Sequence, residues 1–122
     1  MKLKIVILFL LVVIIGCRKK EAVIGVYHNY YEKKAIHYVE LFSDSTFSHI
    51  YIKNGTKKEN KGKWHLSCDK GETNIVFVKW VPLGDIQEKF AICSNCIECV
   101  RLKNGHLFFS MDLYDEMNFK KD

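Results

Sequence analysis

The cysteines are the residues whose type and spacing could do chemistry. Cys93, Cys96 and Cys99 follow one another at two-residue intervals in the stretch CSNCIEC, and Cys17 and Cys68 complete the set. Thiolates at such spacing can bind zinc or copper(I), form a redox centre or pair as disulfides. Thiols pair in oxidising compartments and stay reduced in the cytosol, so the compartment in which the chain folds decides among these uses.

The N-terminal segment indicates that compartment. Lys2 and Lys4 precede an uninterrupted apolar run from Ile5 to Ile15, and Gly16 and Cys17 follow it. A helix over this run rises only about 16 Å, which is too short for a hydrocarbon core of roughly 30 Å. Positive charge, a short apolar run and a small residue, in this order, are the layout of an export signal.

The sequence IIGC at positions 14–17 resembles the lipobox of bacterial lipoproteins. In that family the cysteine is lipid-modified and becomes the first residue of the mature chain, so the resemblance implies that Cys17 carries a lipid anchor. It implies a signal peptide over residues 1–16 and a lipidated tether over 17–21, which leaves residues 22–122 as a single domain, expected to be β from the pattern described below. We therefore expect a protein of the bacterial cell envelope, lipid-anchored to the outer membrane.

Size and charge limit the function further. Removing 16 of the 122 residues leaves 106, which suits one compact domain. Loss of the two signal lysines lowers the formal net charge from +5 to +3, an excess too small to predict a nucleic-acid partner. The predicted partners are the membrane, through the lipid anchor, and a protein or a small apolar ligand. No cofactor is expected.

The mature sequence has the pattern of an all-β protein. Short runs rich in β-branched and aromatic residues alternate with polar turn clusters. Residues 29–42 also fit a helical stripe, but we favour a strand there. The predicted strands are Ala22 to Tyr27, Ile36 to Phe42, Thr46 to Lys53, Lys61 to Cys68, Asn74 to Val81, Glu88 to Ile92, Ile97 to Lys103, His106 to Asp112 and Asn118 to Lys120.

The turns between these strands predict how they connect. Asn54-Gly55 and Asn104-Gly105 are dipeptides that accept positive φ at both central positions of a type I′ hairpin turn. Short strands joined by such turns leave exposed edges unless the sheet closes on itself. The sequence therefore predicts a small antiparallel up-and-down meander, closed or nearly closed into a barrel. The candidate core residues are Tyr27, Leu41, Phe47, Trp64, Leu66, Phe77 and Phe108.

The strand pattern also resembles a known kind of domain. Gly25-Val26-Tyr27, Leu41 and Asp44 before Phe47, and Gly62-Lys63-Trp64 are similar to the pattern of small lipocalin-like domains in bacterial lipoproteins. The resemblance implies a lipocalin-like barrel.

Export to an oxidising compartment favours disulfides for the four remaining cysteines. With a two-residue hairpin tip between them, Cys93 and Cys96 lie close enough to pair. Side chains alternate along a strand, so Cys99 faces away from Cys96 and its expected partner is Cys68. The alternative is a zinc or copper(I) site that uses Cys68, Cys93, Cys96 and Cys99 as ligands.

No catalytic motif is present, and we expect a non-enzymatic protein. The chain lacks a nucleophile elbow and a glycine-rich phosphate loop. Its histidines stand singly, without the spacing that places two metal ligands on one helical face. They are His28, His37, His49, His65 and His106. The stretch from Lys53 to Lys63 carries five lysines and reads as a charged hairpin, with contact to lipid phosphates or an acidic partner as the alternative.

Overall fold

The chain folds into a closed antiparallel β-barrel of eight strands in the computed structural model, which describes residues 17–90, 96–109 and 117–122. The strands are β1 (Gly25–His28), β2 (Ala35–Leu41), β3 (Thr46–Lys53), β4 (Thr56–Asp69), β5 (Glu72–Trp80), β6 (Cys96–Lys103), β7 (His106–Phe108) and β8 (Phe119–Lys121). Two short helices accompany them, α1 (Lys20–Val23) before β1 and α2 (Asp85–Phe90) between β5 and β6. The predicted all-β, up-and-down, lipocalin-like barrel is confirmed.

Each strand pairs with the next along the chain, and β8 pairs with β1 to close the barrel. The β2–β3, β4–β5 and β6–β7 turns lie at one end, together with Cys17 and α1, and we call this the Cys17 end. The β1–β2 and β3–β4 connections lie at the other end, called here the far end. No helix within the described ranges is long and apolar enough to cross a membrane.

The asparagine–glycine turns form the predicted hairpins. Asn54 and Gly55 have φ of 52° and 75°, and Asn104 and Gly105 have φ of 53° and 73°. Positive φ at both central positions is what a type I′ turn requires, and its twist matches that of the flanking strands. These turns fix the β3–β4 and β6–β7 registers.

The long strand β4 serves two neighbours, and Gly62 lies where it passes from one to the other. Residues up to Lys63 pair with β3, and residues from Lys63 onward pair with β5. A Cβ at Gly62 would collide with the Val78 carbonyl oxygen and lie 2.8 Å from Phe47 Cε1. A glycine is therefore required for this close approach of two backbones.

Large side chains fill the barrel interior. The buried ones come from all eight strands and from α1, and they form a single cluster. Its members are Val23, Tyr27, Val39, Leu41, Phe47, Trp64, Ile75, Phe77, Trp80, Val100, Leu107 and Phe119. Five of the predicted core residues are among them, Leu66 is partly buried against them, and Phe108 is only half-buried.

Two predicted strand segments are wrong. The first strand was predicted to begin at Ala22. Ala22 and Val23 instead belong to α1, and the strand begins at Gly25. The segment from Glu88 was predicted to be a strand, but α2 occupies Asp85–Phe90. Helix formers at positions 87–89, with acidic residues first and a lysine last, favour this helix. The remainder of that segment, residues 91 and 92, lies outside the described residues.

Candidate functional site

Two buried histidines lie side by side in the barrel interior. His37 on β2 and His49 on β3 are 4% and 0% exposed, and their Nε2 atoms are 2.8 Å apart. Their rings stack with centroids 5.0 Å apart. In the β2–β3 ladder, His37 is opposite Tyr51 and His49 is opposite Val39. The two histidines are thus diagonal neighbours on the inward face, which brings their rings together.

The hydrogen bonds determine which nitrogen atoms carry protons. His49 Nδ1 lies 3.2 Å from the Val81 carbonyl oxygen, which only accepts, so Nδ1 of His49 is protonated. In a neutral ring its Nε2 is then the acceptor, and His37 Nε2–H donates to it. The pair forms a directed chain that ends on a backbone carbonyl.

Both rings are held neutral. Burial lowers the pKa of His37 to about 4. Burial also lowers the pKa of His49 well below its ordinary value, and the neighbouring His37 lowers it further, while the hydrogen bond to Val81 opposes the shift. Transfer of an imidazolium from water into this apolar interior is unfavourable because its charge loses hydration without gaining an anionic partner.

Aromatic rings surround the pair. The Trp80 ring stacks on His49 at 4.1 Å between centroids, and Phe119 meets His37 edge-on at 4.9 Å. Phe109 contacts both Trp80 and Phe119. Aromatic rings therefore fill the described interior around the histidine pair. Through these ring contacts the pair connects β2 and β3 to β5 and β8.

Of the predicted disulfides, the Cys68–Cys99 pair is wrong. Cys68 is bonded to Cys17, with their Cα atoms 6.1 Å apart, and Cys99 is exposed and free. Cys68 is opposite Thr73 on β5, which in turn is opposite Leu102 on β6, three residues beyond Cys99. Two strand spacings and a three-residue offset separate the two cysteines by about 14 Å, whereas a disulfide needs Cα atoms within about 7 Å.

Strand alternation explains the error. Cys96 lies on the same face of β6 as the buried Val100, and Cys99 lies on the outward face, as expected. That orientation turns Cys99 away from Cys68 as well, because Cys68 is opposite the inward-facing Thr73. Cys96 is disulfide-bonded. Its predicted partner, Cys93, lies outside the described residues, so the Cys93–Cys96 pair stays a prediction.

The alternative thiol metal site is not assembled. Cys68 is committed to a disulfide, and Cys99 points to solvent two strands away. Within the described parts of the chain, no group of three or more histidine, cysteine or acidic side chains is placed to hold a metal ion. The four cysteines therefore do not act as one ligand set in this fold.

Cys17, the predicted lipidation site, lies at the rim of the barrel. The disulfide to Cys68 holds Cys17 against β4. The amide of the next residue, Arg18, also donates a 2.9 Å hydrogen bond to Thr73 Oγ1 on β5. Helix α1 then caps the end of the barrel, where Tyr27 Oη donates to the Val23 carbonyl at 2.7 Å. A sulfur atom in a disulfide cannot also form a thioether, so a lipidated Cys17 would leave Cys68 as a thiol.

Apolar side chains form a continuous exposed surface on β1, β2 and β3 near the far end. We call Tyr30, Ile36, Tyr38 and Ile52 the outer patch. Tyr30 and Ile36 are 66% and 54% exposed. Ile36 is directly opposite Ile52, and Tyr38 follows Ile36 on the same face of β2. The ring of His28 contacts the rings of Tyr30 and Tyr38, with centroid distances of 5.3 and 5.4 Å. His28 thus connects Tyr30 to the rest of the outer patch.

The outer patch is held in place by polar contacts at its edge. His28 Nδ1 lies 2.7 Å from an Asp122 carboxylate oxygen, and the Tyr30 hydroxyl donates to the same oxygen at 2.9 Å. The hydrogen bond with His28 is the main cause that lowers the pKa of Asp122. Tyr30 is thus fixed on the surface although its ring is exposed, and exposed apolar area on a fixed surface is typical of a protein-binding site.

The lysines of the β3–β4 hairpin are mostly neutralised by acidic neighbours. Lys53 contacts Glu32 at 3.3 Å and Asp85 at 2.9 Å, and these hydrogen bonds raise its pKa. The other pairs are Lys57 and Lys61 with Glu59 and Lys58 with Glu88. The paired lysines favour the charged-hairpin interpretation over a phosphate-binding one.

This chain matches no family model, no curated protein and no solved structure. The closed barrel defines the class of fold.

Proposed function

We propose that this chain is a non-enzymatic, lipid-anchored protein of the bacterial cell envelope that binds a protein partner through the outer patch. One observation carries the proposal. The outer patch is contiguous and apolar, with Tyr30 and Ile36 exposed and Tyr38 and Ile52 half-buried, and it lies near the end of the barrel opposite Cys17. An anchor at Cys17 would hold that end away from the membrane, where a partner can reach it.

The anchor itself is supported by the order of charge, apolar run and small residue before Cys17. The position of Cys17 at the barrel rim is compatible with it, because acyl chains attached there need not pass the barrel wall. In the lipidated form the Cys17 sulfur carries the lipid, and the Arg18–Thr73 hydrogen bond still ties the N-terminus to β5.

A surface interaction is favoured over an internal ligand because aromatic side chains occupy the described interior around the histidine pair.

The rim of the outer patch indicates the chemistry of the partner. Lys33 and Lys34 in the β1–β2 connection have no ion-pair partner among the described residues, and Lys120 is opposite His28. The partner therefore presents apolar side chains bordered by acidic ones.

The anchor is tested by the intact mass of the protein from the membrane fraction. We expect a chain that begins at Cys17 and carries acyl groups. Cys17→Ser should abolish both cleavage and membrane attachment, whereas Cys99→Ser, which replaces the exposed free thiol, should change neither. Processing and attachment of Cys17→Ser like those of the parent would contradict the anchor.

The binding surface is tested by site-specific photo-crosslinking in cells. A photoreactive residue at Ile36 should crosslink to one protein of defined mass. The same residue at Ile97, which is 69% exposed on β6, serves as the control and should not. Tyr30→Ser should lower the yield at Ile36 because it removes an aromatic anchor from the patch. Equal crosslinking at Ile36 and Ile97, or none at Ile36, would refute the proposed surface.

A further inference from the structure

A cationic cleft lies beside Cys17 at the barrel rim. Its volume is about 450 Å³, and Arg18, Arg101, Lys103 and Thr73 contribute to its lining. The β4–β5 and β6–β7 turns form its two sides, so well-paired strands hold its walls.

The cleft has an excess of positive charge. Arg101 Nη2 lies 2.9 Å from Glu72 Oε1, so these two lining residues compensate each other. Arg18 and Lys103 have no acidic partner among the described residues. This distinguishes the cleft from the β3–β4 hairpin, where most lysines are paired.

A hydroxyl group complements these cations. Thr73 is 6% exposed, and its Oγ1 accepts the Arg18 amide hydrogen at 2.9 Å. The Thr73 hydroxyl proton has no acceptor within the described structure, so it can donate to a ligand. Two uncompensated cations and a hydroxyl donor on one cleft are the groups that bind phosphate oxygens.

We propose that this cleft binds the phosphate of a phosphate ester, and that an anionic lipid headgroup supplies it. The choice of a lipid rests on the proposed anchor, because acyl chains on Cys17 would hold the cleft against the headgroup layer. Arg18 and Lys103 contact the phosphate, and Thr73 orients it. A barrel bound in this way has a fixed orientation, with the far end directed away from the membrane.

The test uses residues 17–122 without acyl groups, because this chain contains the complete barrel. Sedimentation with vesicles of equal parts phosphatidylglycerol and phosphatidylcholine measures binding, and pure phosphatidylcholine vesicles give the reference. Each cation near an anionic surface contributes about 1 kcal/mol, so Arg18→Gln with Lys103→Gln should weaken binding about 25-fold. Lys33→Gln with Lys34→Gln removes the same charge at the far end and should change binding little.

Two results would refute the proposal that this cleft binds phosphate. One is equal weakening by the two double variants, which indicates attraction without a site. The other is unchanged binding when Arg18 and Lys103 are replaced. Thermal unfolding midpoints equal to that of the parent would show that both double variants are folded.

A second measurement distinguishes the sources of phosphate. Glycerol 3-phosphate is titrated while amide NMR shifts of Gly71 and Thr73 are followed. Shifts that depend on Arg18 and Lys103, together with vesicle binding, support the lipid headgroup. The same shifts without vesicle binding identify a soluble phosphate ester as the ligand and overturn the lipid source. Because the chain carries no acyl group, these results do not depend on whether Cys17 is lipidated.

Discussion

Acidification below about pH 6.5 should destabilise this barrel, because His37 and His49 are buried as neutral rings. The folded-state pKa of His37 is about 4, and that of His49 is well below its ordinary value, whereas unfolded histidines titrate near about 6.5. Between these values the unfolded chain binds more protons than the folded chain. Stability is therefore fully present above about pH 6.5 and is lost as the pH falls towards 4.

The magnitude follows from these pKa values. At about pH 5 an unfolded histidine is almost fully protonated, and a folded histidine with a pKa of about 4 is mostly neutral. This difference lowers the free energy of unfolding by about 2 kcal/mol for His37. Burial of neutral His49 adds a further loss in the same direction, and a loss of a few kcal/mol is a large part of the stability of a small domain.

Urea unfolding followed by tryptophan fluorescence at several pH values between about 7.5 and 5 measures this loss. His37→Gln keeps an amide N–H near the position of Nε2 but cannot titrate, so it should remove the His37 part of the loss, about 2 kcal/mol at about pH 5. His65→Gln is the matched control, because His65 is exposed on the same barrel and should leave the dependence unchanged. Stability that is flat between these pH values, or an equal effect of both variants, would refute the reasoning.

Three further predictions concern the frame of the barrel. Gly62→Ala should lower the free energy of unfolding by about 3 kcal/mol, because the new Cβ collides with the β5 backbone; a variant as stable as the parent in urea would contradict this. Trp64→Phe should cost about 2 to 4 kcal/mol, because it leaves a cavity and removes the 3.1 Å hydrogen bond from Nε1 to a backbone carbonyl. In the unlipidated chain, Cys68→Ser removes the disulfide to Cys17, which closes a separation of 51 residues, and should cost about 2 to 4 kcal/mol. Cys99→Ser should cost little, and equal melting temperatures for the two serine variants would show that the disulfide contributes no stability.

The parts of the fold that depend on local sequence were predictable. The strand Thr46–Lys53 has its predicted bounds, and both asparagine–glycine turns are hairpins. Positive φ at two successive residues is a strong local requirement, and Asn-Gly satisfies it without help from the rest of the chain. Closure followed from the need to pair the edge strands.

The histidine pair was not predictable in the same way. His37 and His49 are 12 positions apart, and only the β2–β3 register makes them diagonal neighbours on the inward face. One signal was present, since alternation places His49 on the same face as Phe47 and Tyr51. That alternation marks an inward histidine, but it does not identify the partner.

The cysteine pairing shows the same limit. Alternation correctly separated Cys99 from Cys96, but the position of Cys68 relative to β6 depends on two strand registers in succession. The lipobox resemblance implies a lipid on Cys17, which leaves Cys99 as the expected partner of Cys68, whereas Cys68 is bonded to Cys17. Assigning disulfides by elimination gives a wrong partner when one of the paired cysteines, here Cys17, is left out of the candidates.

The seam between β1 and β8 also determines how the barrel forms and opens. These strands share two residue pairs, Tyr27 with Lys121 and His28 with Lys120, and the Asp122 amide adds one hydrogen bond to the Val26 carbonyl. The His28–Asp122 contact joins residues 94 positions apart. A contact between such distant residues costs a large loop-closure entropy, and this seam forms few hydrogen bonds to offset it. The seam should therefore form last during folding and separate first in the native state, so that its amides exchange with solvent faster than those of β3 and β4.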